Sequence, residues 1–299
     1  METLFIGNTN IEVSKIGLGT INFGTKVDET LAFSLLDTYV SMGGNFIDTS
    51  NNYAVWNGGD GGESERVIGK WLFKHNNRDK IVIGTKVGAL PKSLENRNFS
   101  DMQGLNRATI LMSVENSLIN LKTDFIDILY LHVDDFTVSQ YEVMKTLNEL
   151  VRSGKVKAIA CSNFYSWRIE SARKICMDNN FVFFSAIQQR YSYLQPTIDA
   201  NFFPQVAVNQ DLDAYLNHYK DMTLIAYSPL LNGQYSSLEE IKDKKYLTER
   251  NQSKLFELKS ETNVIDTVLK YITNSYNGSI ALITTSKIDH IREIMNMFQ

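Results

Sequence analysis

Short apolar runs alternate along this chain with longer stretches in which apolar residues recur every three or four positions. Short apolar runs are typical of strands buried on both faces of a parallel sheet, and the longer period is typical of amphipathic helices. The predicted strands are Lys15–Thr20, Asn45–Asp48, Ile81–Lys86, Asp127–His132, Val156–Cys161, Ser185–Gln188, Thr223–Tyr227 and Ile280–Ile283. The predicted helices are Asp28–Met42, Glu63–Lys74, Arg107–Leu121, Ser139–Arg152, Trp167–Met177, Asn209–Tyr219 and Val264–Tyr276, with a last helix starting near Ile288.

This alternation predicts an α/β protein with the (β/α)8 TIM-barrel fold, because eight strand and helix units are the number that closes a parallel barrel. Leu4–Val13 predicts a β-hairpin that caps the bottom of the barrel, and Leu230–Ser260 predicts an irregular insertion. No linker rich in Pro or Gly divides the chain, so we expect residues 1–299 to form a single domain. An open, doubly wound sheet is the main structural alternative.

Composition narrows the classes of partner and the cellular location. A formal net charge of -4, without a long run of Lys and Arg, favours neither nucleic acid nor an anionic membrane as a partner. Cys161 and Cys176 are too few for a disulfide framework and lie in apolar or helical stretches, which favours a reducing compartment. Without an export signal or a long apolar span, we expect a cytoplasmic protein, either a monomer or a weak homo-oligomer.

Three of the predicted strands end on ionisable side chains, Asp48, Lys86 and His132, and Tyr53 follows Asp48 by five residues. The carboxyl ends of barrel strands converge on the face where such folds carry their chemistry, so we expect these groups to share a pocket. A lysine ammonium within about 4 to 6 Å lowers the pKa of a phenol by roughly 1 to 3 units. Asp48 would hold Lys86, Lys86 would make Tyr53 a stronger acid, and His132 would donate a hydrogen bond to a substrate carbonyl oxygen.

Other interpretations of these residues are weaker. His132, Asp134 and Asp135 include metal-ligand types, but the chain has only four His and no helical His pair or Cys cluster, so we expect no metal. No Gly-x-Ser-x-Gly elbow is present for serine nucleophile chemistry. The segment Gly17–Asn22 begins like a dinucleotide-binding fingerprint but lacks the third glycine.

Taken together, several motifs resemble the aldo-keto reductase family, over nearly the whole chain from Leu4 to about Glu293. They are Gly17-Leu18-Gly19-Thr20, Phe46-Ile47-Asp48-Thr49-Ser50-x-x-Tyr53, Gly62-Glu63-Ser64-Glu65, Thr85-Lys86-Val87 and Leu131-His132. The resemblance implies a (β/α)8 barrel that binds NADP(H) without a Rossmann domain. It also implies catalysis by Asp48, Tyr53, Lys86 and His132, with Tyr53 as the acid in reduction and the base in alcohol oxidation.

The resemblance also implies a set of cofactor-binding residues. Ser162, Asn163 and Gln188 match the partners of the nicotinamide carboxamide, and Tyr227 matches the ring that stacks on the nicotinamide. The other positions carried over are Gly19, Thr20 and Asp48 near the strand ends, Ser228, Pro229, Leu230 and Gly233 over the pyrophosphate, and Thr285, Ser286, Lys287, His290 and Glu293 at the adenosine end. Thr284 and Ile294 depart from the tail motif of the family. We expect NADP(H), with NAD(H) left open.

The expected substrate is a small-molecule carbonyl compound or alcohol, such as an aldehyde, a ketone or a sugar, in a pocket formed by Tyr53, Trp56 and His132. Because the chain ends soon after Glu293, we expect substrate choice to come from the loops Ala54–Gly62, Asp134–Thr137 and Tyr191–Pro204. Two alternatives are a cofactor-binding, redox-sensing regulatory subunit with little turnover and an aldolase or lyase that uses Lys86 as a Schiff-base amine.

Overall fold

The computed structural model describes residues 1–95, 97 and 101–299. An antiparallel hairpin comes first, formed by β1 (Thr3–Phe5) and β2 (Glu12–Ser14). A closed barrel of eight parallel strands follows, and the last strand pairs with the first barrel strand to complete the ring. Its strands are β3 (Ile16–Gly19), β4 (Phe46–Asp48), β5 (Val82–Val87), β6 (Ile126–Leu131), β7 (Val156–Ser162), β8 (Ala186–Arg190), β9 (Thr223–Tyr227) and β10 (Ile280–Ile283).

Helices connect and cover these strands, and several begin at a polar residue that caps the first turn. Asp28 accepts a hydrogen bond from the Leu31 amide at the start of α1, and Asn106 accepts one from the Thr109 amide at the start of α3. The described helices are α1 (Glu29–Ser41), α2 (Glu63–His75), α3 (Arg107–Leu121), α4 (Gln140–Arg152), α5 (Ser166–Asn179), α6 (Gln210–His218), α7 (Glu249–Glu257), α8 (Val264–Thr273) and α9 (Ile288–Asn296). The predicted (β/α)8 fold is confirmed.

Apolar side chains form two cores that the strands separate. The inner core fills the barrel with residues such as Phe46, Ile128 and Ile225, and the hairpin residues Ile6 and Val13 belong to this cluster. The outer core lies between the strands and the helices. Because Ile6 and Val13 join the inner core, the hairpin closes the bottom of the barrel, as the sequence predicted.

One segment differs from its prediction. Residues 230–260 were expected to be irregular, but they contain α7. The Thr248 side chain caps this helix by accepting from the Asn251 amide, and Leu255 is buried on its inner face. The Thr248 cap and the burial of Asn251 and Leu255 define this helix, although most of its residues are polar.

Candidate active site

The carboxyl ends of β4, β5 and β6 bring the four predicted catalytic side chains together. Lys86 Nζ lies 2.5 Å from Asp48 Oδ2 and 2.9 Å from the Tyr53 hydroxyl oxygen. The Tyr53 hydroxyl lies 3.4 Å from the same carboxylate oxygen. The imidazole of His132, which directly follows β6, meets the Tyr53 ring edge to face with the ring centroids 6.3 Å apart.

Lys86 is the centre of this arrangement and is completely buried. Besides Asp48 and Tyr53, its ammonium group donates to the Thr49 carbonyl oxygen at 2.8 Å, so its three protons have three acceptors. The other carboxylate oxygen of Asp48 accepts from Gln188 Nε2 at 2.8 Å. Burial lowers the pKa of Lys86, and the Asp48 carboxylate opposes this shift by favouring the charged ammonium.

The protonation of Tyr53 differs from its prediction. The sequence predicted that Lys86 lowers the pKa of Tyr53, and this prediction is wrong. Burial raises the pKa of Tyr53 well above its ordinary value, and the Asp48 carboxylate raises it further. Tyr53 is therefore a neutral phenol at physiological pH, which suits a proton donor rather than a base.

His132 is held from both its backbone and its ring. Its amide donates to the Val87 carbonyl oxygen at 2.9 Å, and its Nδ1 lies 3.2 Å from Ser50 Oγ. Burial lowers the pKa of His132 well below its ordinary value, and the Lys86 ammonium lowers it further. The imidazole is therefore neutral and carries a single N–H.

The residues predicted to meet the nicotinamide lie at the ends of β7, β8 and β9, beside the predicted catalytic groups. The Asn163 backbone is left-handed, with φ of 59°, and its side-chain nitrogen Nδ2 donates to the His132 carbonyl oxygen at 2.9 Å. Its side-chain oxygen accepts from the Tyr227 hydroxyl at 2.8 Å. Ser162 Oγ donates to the Gln188 carbonyl oxygen. These side chains are thus already paired with one another, and a carboxamide would have to exchange some of these bonds.

Two further segments fit the anionic part of a dinucleotide. After β9, Ser228, Leu231, Asn232 and Gly233 have positive φ values of 54°, 46°, 54° and 85°. Successive backbone N–H groups in such a turn form concavities of the kind that bind anions. Thr285, Ser286 and Lys287 precede α9 in an exposed loop, where the helix N-terminus also favours negative charge. His290 and Glu293 lie exposed within α9.

Gly19 and Thr20 occupy a tighter position at the end of β3. A Cβ atom on Gly19 would stand 2.7 Å from Thr284 Oγ1, so a larger residue at this position would displace the Thr284 hydroxyl. The Thr20 hydroxyl is fully buried and donates to the Asp48 carbonyl oxygen at 2.9 Å. The structure therefore gives Thr20 a role in holding β4, apart from any contact with a cofactor.

A cleft of about 1590 Å³ opens beside the four side chains predicted to be catalytic. Val133 and Asn163 form part of its lining, together with the segments 134–138, 195–198 and 200–211, while none of these four predicted residues lines it. Two of the three predicted substrate loops therefore contribute to this cleft. Trp56, from the third loop, is 36% exposed and lies outside its lining.

The structure brings to the site several residues that were not predicted as functional. Ser50 contacts both His132 and Asn52, and Thr248 and Arg250 reach the cleft from the segment predicted to be irregular. Thr248, followed by an acidic residue, Glu249, in the first turn, was the available signal for the start of α7. No comparable signal marks the contact between Ser50 and His132, which are 82 residues apart in the chain.

Within the described residues, no group of three or more His, Cys, Asp or Glu side chains is placed to hold a metal ion. None of the helices in the described part of the chain is long and apolar enough to cross a membrane.

A parallel barrel with these acid–base groups at its strand ends defines a class of enzyme that works at the carboxyl face of a (β/α)8 fold. Residues 15–299 match the model of the Aldo/keto reductase family, and the chain belongs to this family. Its members are oxidoreductases that generally use nicotinamide cofactors.

The curated relatives come from fungi and bacteria. Norsolorinic acid reductase A of Aspergillus parasiticus is 30% identical over 96% of this chain and 74% of its own length. The oxidoreductase YrpG of Bacillus subtilis is 35% identical over 78% of this chain and 68% of its own length. An aryl-alcohol dehydrogenase of Pestalotiopsis microspora is 34% identical over 67% of this chain and 53% of its own length.

Solved structures support the fold. A holo aldo-keto reductase of Bacillus halodurans superposes with a TM-score of 0.78 at 22% identity, covering 99% of this chain and 90% of that one. A thermostable aldo-keto reductase crystallised with the inhibitor epalrestat gives a TM-score of 0.73 at 24% identity, covering 99% and 94%.

Proposed function

We propose that this protein reduces an aldehyde, ketone or sugar carbonyl to the alcohol with NADP(H), using Asp48, Tyr53, Lys86 and His132. The contact of 2.9 Å between the Lys86 ammonium and the Tyr53 hydroxyl carries the proposal. A phenol beside a buried, fixed cation can give up its proton to a substrate because the cation stabilises the phenolate that remains. We also propose that residues 1–299 work as one domain.

When bound, a nicotinamide cofactor supplies the hydride. We propose that the polar side chains at the ends of the barrel strands hold it, with Asn163 and Gln188 at the carboxamide and Tyr227 against the ring. The left-handed turn after β9 supports a pyrophosphate position there, because its backbone suits an anion. The remaining proposed contacts are Gly19, Thr20, Asp48, Ser162, Ser228, Pro229, Leu230, Gly233, Thr285, Ser286, Lys287, His290 and Glu293.

Proton delivery is the task of Tyr53. Burial and Asp48 keep its phenol protonated, so the proton is in place whenever a carbonyl oxygen arrives. As that oxygen gains negative charge it takes the proton, and the phenolate stays beside Lys86 Nζ. Asp48 and the Thr49 carbonyl hold the ammonium in position through this step, so no part of the relay has to move.

Preference for NADP(H) over NAD(H) is supported by the loop ahead of α9. Thr285 Oγ1 accepts from the Lys287 amide at 3.0 Å, which turns this loop at the start of the helix. A lysine and hydroxyl groups at a helix N-terminus suit the additional phosphate that distinguishes NADP from NAD. The charged side chain of Lys287 is exposed and therefore accessible to that phosphate.

The proposed substrate is a small carbonyl compound that meets Tyr53, with Trp56 and His132 around it. Relatives named for norsolorinic acid reduction and aryl-alcohol dehydrogenation support a carbonyl and alcohol pair as the reactants. A Schiff-base role for Lys86 is disfavoured, because its ammonium is fully buried and is held by three acceptors.

Oxidation of NADPH, followed by its absorbance with a panel of aldehydes and ketones, tests the proposal. We expect steady turnover with at least one carbonyl compound, and slower turnover with NADH. Tight NADPH binding with unchanging absorbance across the panel would contradict catalysis and favour a redox-sensing regulatory subunit.

A further inference from the structure

One wall of the cleft carries aromatic and cationic side chains together. Phe202 lines the cleft, and its ring is contacted by two cations from distant parts of the chain. The guanidinium carbon of Arg190 lies 4.6 Å from the ring centroid, and Lys245 Nζ lies 4.7 Å from it. Arg190 ends β8, and Lys245 belongs to the short 3₁₀ helix Lys244–Tyr246. Two positive charges therefore lie close to one lining residue.

Arg190 is held at this wall by neutral partners. Its Nε donates to the Tyr246 hydroxyl at 2.8 Å, and its Nη1 donates to Gln205 Oε1 at 3.1 Å. Its backbone amide donates to the Val206 carbonyl oxygen at 3.2 Å. Gln205 and Val206 both line the cleft, so the guanidinium reaches its wall. A guanidinium has more N–H donors than these two side-chain bonds use.

Arg250 adds a third positive charge and lines the cleft directly. It is exposed in the first turn of α7, and Lys254 follows it by four residues, a spacing at which like charges on a helix repel. Burial lowers the pKa of Lys254, and the charge of Arg250 lowers it further. Positive charges are therefore crowded where α7 meets the cleft.

Neighbouring carboxylates do not pair with these three cations. Within the part of the chain that the structure describes, the ion pairs include neither Arg190 nor Lys245 nor Arg250. On the β6 side of the cleft, Asp134 is paired with Arg168 at 2.6 Å. The other acidic residues that line the cleft or adjoin the cations in the chain are Asp135, Asp211, Asp243 and Glu249.

This arrangement suits an anion. Like charges held close together repel, and a negative charge placed between them removes that repulsion. The guanidinium group presents paired N–H donors that match the two oxygens of a carboxylate, and such charge-assisted bonds are stronger than neutral ones. A cleft lined by charges of one sign also raises the local concentration of a ligand of opposite sign.

We propose that this wall binds a carboxylate of the substrate, so that the site favours carbonyl compounds that also carry a carboxylate group. Arg190 and Arg250 donate to the carboxylate oxygens, and Lys245 adds positive charge beside them. The inference rests on the proposed function, since it takes the cleft as the place of the carbonyl substrate. Asn163 lines the cleft and also donates to the His132 carbonyl oxygen, so the cavity extends to the predicted catalytic groups.

Two pairs of aldehydes test this selectivity. 4-Carboxybenzaldehyde and 4-(carboxymethoxy)benzaldehyde place the carboxylate at two distances from the carbonyl, and the methyl ester of each has nearly the same shape without the charge. We expect the ratio of kcat/KM, acid over ester, to fall by about 10-fold for at least one pair in Arg190→Gln and in Arg250→Gln, the contribution of one charge-assisted hydrogen bond. The intrinsic reactivity of each aldehyde cancels, because the same compounds are compared in every protein.

The charge itself has a separate readout. Raising NaCl from about 0.05 M to about 0.5 M should lower kcat/KM of the wild-type protein for the acid and change that for the ester little, because salt screens the attraction. Arg190→Lys keeps the charge and should lose less of the acid-to-ester ratio than Arg190→Gln. Arg152→Gln is the matched control, because it removes the same charge from the exposed last turn of α4 and should leave the ratio unchanged.

Three results would overturn the inference. The first is an acid-to-ester ratio that is unchanged for both pairs in both glutamine variants. The second is an equal loss in Arg152→Gln, which would indicate an effect of net charge alone. The third is a rise in the Kd of NADPH in Arg190→Gln with an unchanged ratio, which would place this guanidinium at the cofactor.

Calorimetry separates this inference from the proposed function. In the presence of NADP⁺ the aldehydes cannot be reduced, so their binding is measured without turnover. We expect the Kd of the preferred acid to rise by about 10-fold in Arg250→Gln and that of its ester by less than about 2-fold. A protein that reduces no carbonyl compound would refute the function, while these Kd values still decide the carboxylate site.

Discussion

Replacing Lys86 by Met should destabilise the fold far more than the loss of one ordinary ion pair. The substitution keeps a long unbranched side chain in a completely buried position but removes the ammonium that lies 2.5 Å from Asp48 Oδ2. The carboxylate keeps the hydrogen bond from Gln188 and the longer contact with Tyr53, at 2.8 and 3.4 Å, but no neighbouring cation.

Breaking a buried ion pair on one side costs about 3–5 kcal/mol, because it leaves an uncompensated buried charge. We therefore expect the free energy of unfolding of Lys86→Met to fall by about this amount. The double variant Asp48→Asn/Lys86→Met removes both charges. Compared with Lys86→Met, the double variant should regain about half or more of the lost free energy of unfolding. The reason is that the amide introduced at position 48 can still hydrogen bond to Gln188.

Urea unfolding curves measure these differences in the free energy of unfolding, provided that the dependence of that free energy on urea concentration is the same in all variants. Lys174→Met is the control, since it breaks an ion pair with Asp178 in which the side chains are 70% and 54% exposed. Its unfolding free energy should change by no more than about 0.5 kcal/mol. The single variant Asp48→Asn completes the comparison. If the double variant lost the sum of the losses of Lys86→Met and Asp48→Asn, the two charges would not be coupled, and the structural basis of the relay would be refuted.

Three further predictions follow from single contacts. Because burial and Asp48 raise the pKa of Tyr53, kcat for reduction should stay level from about pH 7 to 9 in a pH–rate profile. A fall in kcat over this range would contradict the raised pKa, because a phenol whose pKa is lowered by about 1 to 3 units would lose its proton there. Gly69→Ala should lower the free energy of unfolding, measured by urea unfolding, by about 1–3 kcal/mol. The reason is that a Cβ atom at this position would stand 2.1 Å from the Asn120 carbonyl oxygen, and unchanged stability would contradict this packing. Lys287→Ala should raise the Kd of NADPH by about 10-fold and that of NADH by less than about 2-fold in fluorescence titrations; equal effects on both would contradict a phosphate contact.

The sequence predicted the fold well because the pattern that identifies barrel strands is local. Each apolar run specifies a strand by itself, and eight such units close only one kind of parallel barrel. The same topology predicted the meeting of Asp48, Lys86 and His132, since the carboxyl ends of neighbouring strands must converge. Tyr53 was found because its distance from Asp48 in the chain is short.

Properties that depend on solvent and on long-range contacts were not predictable in this way. The Tyr53 pKa is raised first by burial and then by the Asp48 carboxylate, and the degree of burial depends on residues from several strands. The contact between Ser50 and His132 joins distant parts of the chain through side-chain orientation alone. The helix α7 was missed because most of its residues are polar, so that its cap and one narrow buried face define it.

The most direct test of the proposed acid is the turnover of Tyr53→Phe, which removes only the hydroxyl that lies 2.9 Å from Lys86 Nζ. We expect NADPH-dependent carbonyl reduction to fall by about 10²- to 10⁴-fold, the contribution of a positioned general acid. The Kd of NADPH should stay within about 2-fold, because the phenyl ring still fills the site. Lys70→Ala, at an exposed side chain paired with Glu29 and outside the lining of the cleft, should keep normal activity. Turnover of Tyr53→Phe close to that of the wild type would contradict Tyr53 as the proton donor.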